Sequence, residues 1–226
     1  MIIGREFIED LPENPSVDVF DKTFQEKREL KLLGIFIDNK LTFENHVNKL
    51  VEKCTRNIRF LWRTSKNRTS HQKLLLGNAL VMTHLNYCEL VYHNFISRKL
   101  INLIESIQYK LMKFIVGVMP GQLISRETLH NHLNWTSLEN KRKINFMSVF
   151  LRIFNDESFP KYFIERINLN EGRTRQLARN STILTSIARK TVNNVYCSLY
   201  QKLPRYITDM PNLASFKRAI KLFLLT

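Results

Sequence analysis

Two-metal phosphoryl transfer needs closely placed carboxylates, so the aspartates come first. There are six: Asp10, Asp18, Asp21, Asp38, Asp156 and Asp209. No two are adjacent. Asp18 and Asp21 lie close together, but in a segment that reads as strand and turn, where aspartate is ordinarily a solvated turn residue. His84 and Cys88 are four apart and would share a face of a continuous helix, with His93 near enough to be a third zinc ligand. No Cys-x-x-Cys or His-x-Glu pattern supports that reading, and a partly buried histidine beside a buried thiol is the ordinary alternative. His130 and His132, two apart, would point to different sides of a helix. There is no glycine-rich phosphate loop and no nucleophile-elbow serine. The sequence thus holds no self-contained catalytic constellation, and neither a metal nor a cofactor is expected.

Charge is the stronger signal. The 226 residues carry 35 Lys and Arg against 20 Asp and Glu, a net of +15. Residues 1–50 hold 7 basic and 10 acidic side chains, whereas residues 51–226 hold 28 and 10. A basic field of this size points to a polyanion. On the segment after Thr42, Lys49, Lys53, Arg56 and Arg63 fall within an arc of about 80° at 100° per residue. Phe60 lies among them, on the side of the wheel away from the apolar stripe by the same arithmetic. An aromatic ring set in a basic face is what stacking on a base, flanked by phosphate contacts, requires; the alternatives are a Phe60 packed under another part of the chain and a basic face that is only solvated. Lys66 and Arg68 extend the basic group into the next loop. Arg173, Arg175 and Arg179 form a second cluster in a polar stretch, residues 170–182, that reads as an exposed linker, either gripping phosphates or simply solvated.

These side chains need a scaffold. With 44% hydrophobic residues, 6 Gly and 6 Pro, the chain has the composition of a globular, mainly helical protein. No apolar run approaches 18 residues, so no membrane span is expected. Glu6, Glu9 and Asp10 stand where a signal peptide would need an apolar core. Three widely spaced cysteines (Cys54, Cys88, Cys197) suit reduced thiols inside a cell. Ser16–Phe20 and part of Leu30–Asp38 alternate polar and apolar, predicting two short strands of one hairpin that turns at Asp21-Lys22-Thr23. Thr42 is the expected cap of a first helix whose core stripe is Phe43, Val47, Leu50, Val51, Cys54, Ile58, Leu61 and Trp62. A second helix is expected from Ser70 to Cys88, with Leu74, Leu75, Leu80 and Leu85 inward. A third, capped by Ser97, buries Leu100, Ile101, Ile104, Ile107, Leu111, Phe114 and Ile115 and stops at Gly117 or Pro120. Shorter helices follow over Arg126–Leu133, Leu138–Phe154 (with Ile144, Met147, Val149, Leu151 and Phe154 as its apolar residues), Tyr196–Leu203 and Ala214–Leu225. The expected architecture is mainly α: a helical bundle preceded by a short β-hairpin, with a smaller helical C-terminal extension.

Lys31-Leu32-Leu33-Gly34-Ile35-Phe36-Ile37-Asp38, followed by Leu41-Thr42-Phe43 and His46, resembles a stretch of jockey-like non-LTR (LINE) retrotransposon reverse transcriptases. Further similarities follow in collinear order: Leu85-Asn86-Tyr87-Cys88 with Val91-Tyr92, Asn134-Trp135-Thr136-Ser137-Leu138 with Lys141-Arg142, Arg173-Thr174-Arg175, Leu199-Tyr200-Gln201-Lys202-Leu203-Pro204, and Ser215-Phe216-Lys217-Arg218 with Leu224-Leu225. Each is weak alone; together they span about 195 residues, by the sequence positions themselves. Tyr92 and Tyr200 replace the family's usual tryptophans, Thr136-Ser137 its proline turn, and Gln201 its asparagine.

The resemblance implies a remnant of the polymerase palm in residues 1–40, with Leu33, Gly34, Ile35, Phe36, Ile37 and Asp38 in a primer-grip hairpin. It implies a three-helix thumb in 41–118 and a C-terminal extension in 119–226. The family's paired catalytic aspartates and their magnesium lie upstream of the primer grip. The implied protein is therefore non-catalytic by itself and binds RNA or an RNA–DNA duplex by its backbone. A separate palm-containing polypeptide is a second implied partner; a membrane and a small-molecule substrate are not. The implied location is the nucleus or cytoplasm. The rival reading is a decayed, transposon-derived helical protein with a protein partner or no biochemical function, its apolar patch near Leu33, Ile35 and Ile37.

Overall fold

The computed structural model describes residues 16–19, 22–119, 121–155, 199, 202–208, 210 and 212–224. They belong to two compact units, Met1–Leu129 and His130–Thr226. The fold is mainly helical, with antiparallel hairpin structure ahead of the helices. Among the described residues no helix is long and apolar enough to cross a membrane.

The strands pair differently from the sequence expectation. β1 (Ser16–Val19) pairs with β2 (Lys22–Gln25), and β3 (Glu29–Leu32) pairs with β4 (Ile35–Asp38), each antiparallel. Leu30–Asp38 is therefore a hairpin in its own right. The reason lies in Leu33 and Gly34, which take φ of 46° and 86°. Positive φ at both central residues of a two-residue loop is the condition of the type I′ turn, whose twist matches that of the strands. In this register Leu30 faces Ile37 and Leu32 faces Ile35. Lys31 and Phe36 pair on the other face, as do Glu29 and Asp38.

Helix α1 (Glu44–Arg63) buries His46, Val47, Leu50, Cys54, Ile58 and Leu61, close to the expected stripe. Val51 and Trp62 are only half-buried. Thr42 is not its cap. Phe43 occupies that position with φ 53°, and no side chain at the position itself closes the helix end. Asp38 does the work instead. Its carboxylate accepts the backbone N–H groups of Lys40, Thr42 and Phe43 at 3.1, 2.9 and 2.7 Å and the Thr42 hydroxyl at 3.1 Å. The hairpin is thus tied directly to the first turn of α1.

The second expected helix is interrupted. α2 (Ser70–Gly77) starts in a capping box between Thr69 and Gln72, passes into a π-helical turn (Asn78–Met82), and continues as α3 (Thr83–Asn86). A π turn inserts one extra residue and rotates everything after it. Val81 and Met82 join Leu85 in the core. Leu75, in the helix ahead of the π turn, is 56% exposed. Widening the turn also frees backbone carbonyls. Leu80 O receives the Asn57 side-chain amide at 2.7 Å. Gly77 lets α2 approach the bundle closely, since a Cβ there would stand 2.8 Å from Leu111 Cδ1.

After Cys88, at φ 49°, comes the short α4 (Glu89–Tyr92), then α5 (Arg98–Val116). Ser97 has the extended backbone of a cap, but its side chain makes no capping bond. α5 packs against α1 and α2. It buries Leu100, Ile104, Ile107, Leu111, Phe114 and Ile115 as expected, together with Gln108 and Met112, while Ile101 is half-buried. It ends at Gly117, whose φ of 85° and the 2.9 Å bond from Val118 N–H to Lys113 O form a Schellman closure. α6 (Arg126–Leu133) follows.

In the second unit α7 (Leu138–Asn155) packs against α9 (Leu213–Phe223), which is preceded by α8 (Arg205–Thr208). The buried ridge of α7 runs through Leu138, Arg142 and Phe146, with Met147 beside it. Val149 is 37% exposed rather than buried. The buried guanidinium of Arg142 interrupts the apolar pattern, which is why periodicity misplaces that face. Phe216 and Ile220 of α9 are buried. The linker at 170–182 and most of Tyr196–Leu203 lie outside the described residues.

Candidate nucleic-acid interface

Helix α1 carries most of the candidate residues. Its apolar stripe is anchored in the bundle, so the opposite face must meet solvent. Lys49, Lys53, Arg56, Phe60 and Arg63 are all exposed there, and Lys66 follows in the loop. Phe60 is 49% exposed, an unusual position for a phenylalanine flanked by cations. From Lys49 to Arg63 the row extends about 21 Å at 1.5 Å per residue. Arg68 is half-buried and donates to the Thr64 hydroxyl at 3.4 Å, a weak bond that points it back toward its own loop. Arg173, Arg175 and Arg179 lie outside the described residues.

The two ends of this face differ chemically. At the C-terminal end, Arg56, Arg59, Arg63 and Trp62 line an open pocket of ≈ 580 Å³. Arg59 and Trp62 are absent from the sequence-based site. Arg59 lies about 40° beyond Arg63 on the helical wheel, so wheel arithmetic was enough to find it. The apolar stripe of the sequence places Trp62 in the core. Its ring does meet that of Phe114, with centroids 5.2 Å apart in a T-shaped geometry. The remainder of the indole is left to the pocket.

At the N-terminal end, the hairpin turns its Lys31–Phe36 face toward α1. Lys49 Nζ stands 3.5 Å above the Phe36 ring, and Lys31 Nζ lies 5.5 Å from the same ring. These residues, with Lys53, His46, His84 and Tyr87, line a cleft of ≈ 470 Å³. Tyr87 holds the far side of the hairpin by donating its hydroxyl to Leu33 O at 2.7 Å. Lys31 could not be joined to Lys49 from sequence, because the cleft exists only once the hairpin folds onto the helix.

Titration behaviour follows from these surroundings. Burial lowers the pKa of His46, whose ring meets Tyr92 edge-on at 4.9 Å. Burial lowers that of His84 too, and the neighbouring Lys53 ammonium lowers it further. Burial pushes the Cys54 thiol up to about 12, which makes it an inert core group. For Asp38, burial alone would raise the pKa; the hydrogen bonds from Thr42, Phe43 and Lys40 overcome it and lower the net value.

The primer-grip residues of the resemblance divide by role. Ile35 is buried, Ile37 half-buried, and Leu33 81% exposed at the tip. Gly34 makes the turn, Phe36 carries the lysines, and Asp38 caps α1. The zinc reading loses its geometric basis. The helix ends at Asn86, Tyr87 is extended and Cys88 is left-handed, so His84 and Cys88 do not share a helical face. Among the described residues no group of three His, Cys, Asp or Glu is placed to hold a metal ion.

Comparison with protein-family models, curated proteins and solved structures finds no match to this chain.

Proposed function

We propose that this chain binds RNA or an RNA–DNA duplex through the sugar–phosphate backbone, as the thumb-like part of a non-LTR reverse transcriptase. The reading assigns it no catalytic step of its own and places it in the nucleus or cytoplasm. The observation that carries it is the exposed row Lys49, Lys53, Arg56 and Arg63 on one face of α1, with Phe60 exposed in its midst. Backbone contacts by such a row give sequence-tolerant, salt-dependent binding. The collinear sequence resemblance supplies the polymerase context. Filter binding with an RNA–DNA duplex tests it. Lys53→Glu/Arg56→Glu should sharply weaken binding; unchanged affinity at low salt overturns the reading.

A second reading is favoured by the apolar tip of the β3–β4 hairpin, where Leu30, Leu32 and Leu33 are 43%, 52% and 81% exposed. Such a tip suits a protein partner, and a palm-containing polypeptide is the one the resemblance implies. A concentration series by light scattering would reveal self-association as the alternative use of this patch.

A further inference from the structure

We propose that the cleft between the β3–β4 hairpin and α1 is a binding site for a polyphosphate group, as carried by a nucleoside triphosphate or by inorganic tripolyphosphate. Its wall gathers three ammonium groups: Lys31 from the hairpin, Lys49 and Lys53 from the helix. Two of them are collected on one aromatic ring, Phe36, at 5.5 and 3.5 Å. Both ammonium groups lie within cation–π range of that one ring, which sets them on the same cleft wall, where a bound anion would gain from each. Among the described residues no carboxylate lines the cleft. Among the described residues no ion pair to any of the three lysines is formed.

The remaining walls fit the same ligand. His84 faces the cleft as a neutral ring able to donate one hydrogen bond to a phosphate oxygen. Tyr87, half exposed, and Leu33 form an uncharged lip. The ≈ 470 Å³ volume suits one nucleotide-sized molecule. Three positively charged residues lining one cleft match a multiply charged phosphate chain better than the single charge of one phosphodiester. The site is thus distinct in preference from the arginine-rich end of α1, and it does not rest on the duplex reading.

The test is calorimetric titration of the whole chain with tripolyphosphate, ATP and adenosine, in the absence of divalent ions. Tripolyphosphate and ATP should each bind at one site, while adenosine shows no heat. Lys49→Gln and Lys53→Gln should each weaken tripolyphosphate binding by about tenfold, as removal of one charge-assisted contact would. Arg63→Gln, at the other end of the helix, should leave it unchanged. Because these side chains are exposed, the variants should fold, and circular dichroism confirms that each has done so. Non-saturable heats with tripolyphosphate overturn the proposal. So does an equal loss with Arg63→Gln, which would mean diffuse attraction by the whole basic face. Duplex binding measured on the same variants is a separate readout, so the two proposals can fail independently.

Discussion

Asp38 Oδ2 accepts the backbone N–H of Phe43 at 2.7 Å, joining the last residue of the hairpin to the residue that starts α1. Two non-glycine residues in this connection, Leu41 and Phe43, have φ near 54°. Each left-handed residue costs about 1–2 kcal/mol. Phe43 is nonetheless buried against Phe95 and Tyr92, with centroids at 5.8 and 6.4 Å. Aromatic burial and the Asp38 bonds together offset the strain.

Asp38→Ala should therefore destabilise the first unit by about 2 kcal/mol, the upper end for loss of a helix cap. Asp38→Asn should cost less, because one side-chain oxygen can still accept. The bonds lower the carboxyl pKa below its ordinary 3.8. Its contribution is then complete above pH 3.8 and is lost as the pH falls through the folded value. Chemical denaturation at pH 7 and pH 3 checks both points; a variant indistinguishable from the parent at pH 7 would show that Asp38 does not hold the junction.

Leu33→Asn should stabilise the protein by several tenths to about 1 kcal/mol. The residue is 81% exposed with φ 46°, so leucine contributes little burial while occupying a conformation that asparagine tolerates far better. The thermal midpoint should rise, and surface apolarity at the hairpin tip should fall. A lower midpoint would mean that Leu33 packs against something in solution, which favours the protein-partner reading.

The helices were largely legible from apolar spacing because burial dictates that spacing directly. Val47, Leu50, Cys54, Ile58 and Leu61 fall where the period of 3.6 requires them. What escaped was whatever depends on a contact between distant segments. The π turn at Asn78–Met82 has no composition of its own; it is supported by Asn57, more than twenty residues earlier in the chain. The cap on α1 comes from Asp38, outside the window in which caps are sought. The site shows the same division. The basic face of α1 could be drawn from the wheel, and Arg59 with it. The lysine cleft needed Lys31 of β3 and Phe36 of β4 brought onto α1, which no local pattern announces.

His46 should make the protein sensitive to mild acid. Its ring is buried and its pKa lies below the ordinary 6.5. Between the folded value and 6.5 the unfolded chain therefore binds the proton and the folded one does not. Stability is complete above pH 6.5 and declines as the pH drops through that window, with a slope of at most about 1.4 kcal/mol per pH unit for one proton. His46→Gln should lower stability at pH 7 but flatten its fall below pH 6.5. Parallel curves for the two proteins would assign the acid response to another group, His84 first.

Trp62 offers a direct optical test of the arginine end of the interface. The chain has two tryptophans, Trp62 and Trp135, so Trp135→Phe leaves Trp62 as the sole indole. Trp62 is partly exposed beside Arg56, Arg59 and Arg63, so a nucleic acid seated on these guanidinium groups must change its surroundings. Titration with an RNA–DNA duplex should quench its emission, with a midpoint that moves to higher concentration as salt increases. Arg59→Glu should shift that midpoint as far as Arg56→Glu does, since both line the same pocket. If binding by filter assay persists while the Trp62 emission stays constant, the duplex lies on the lysine half of α1 and the arginine pocket serves another ligand.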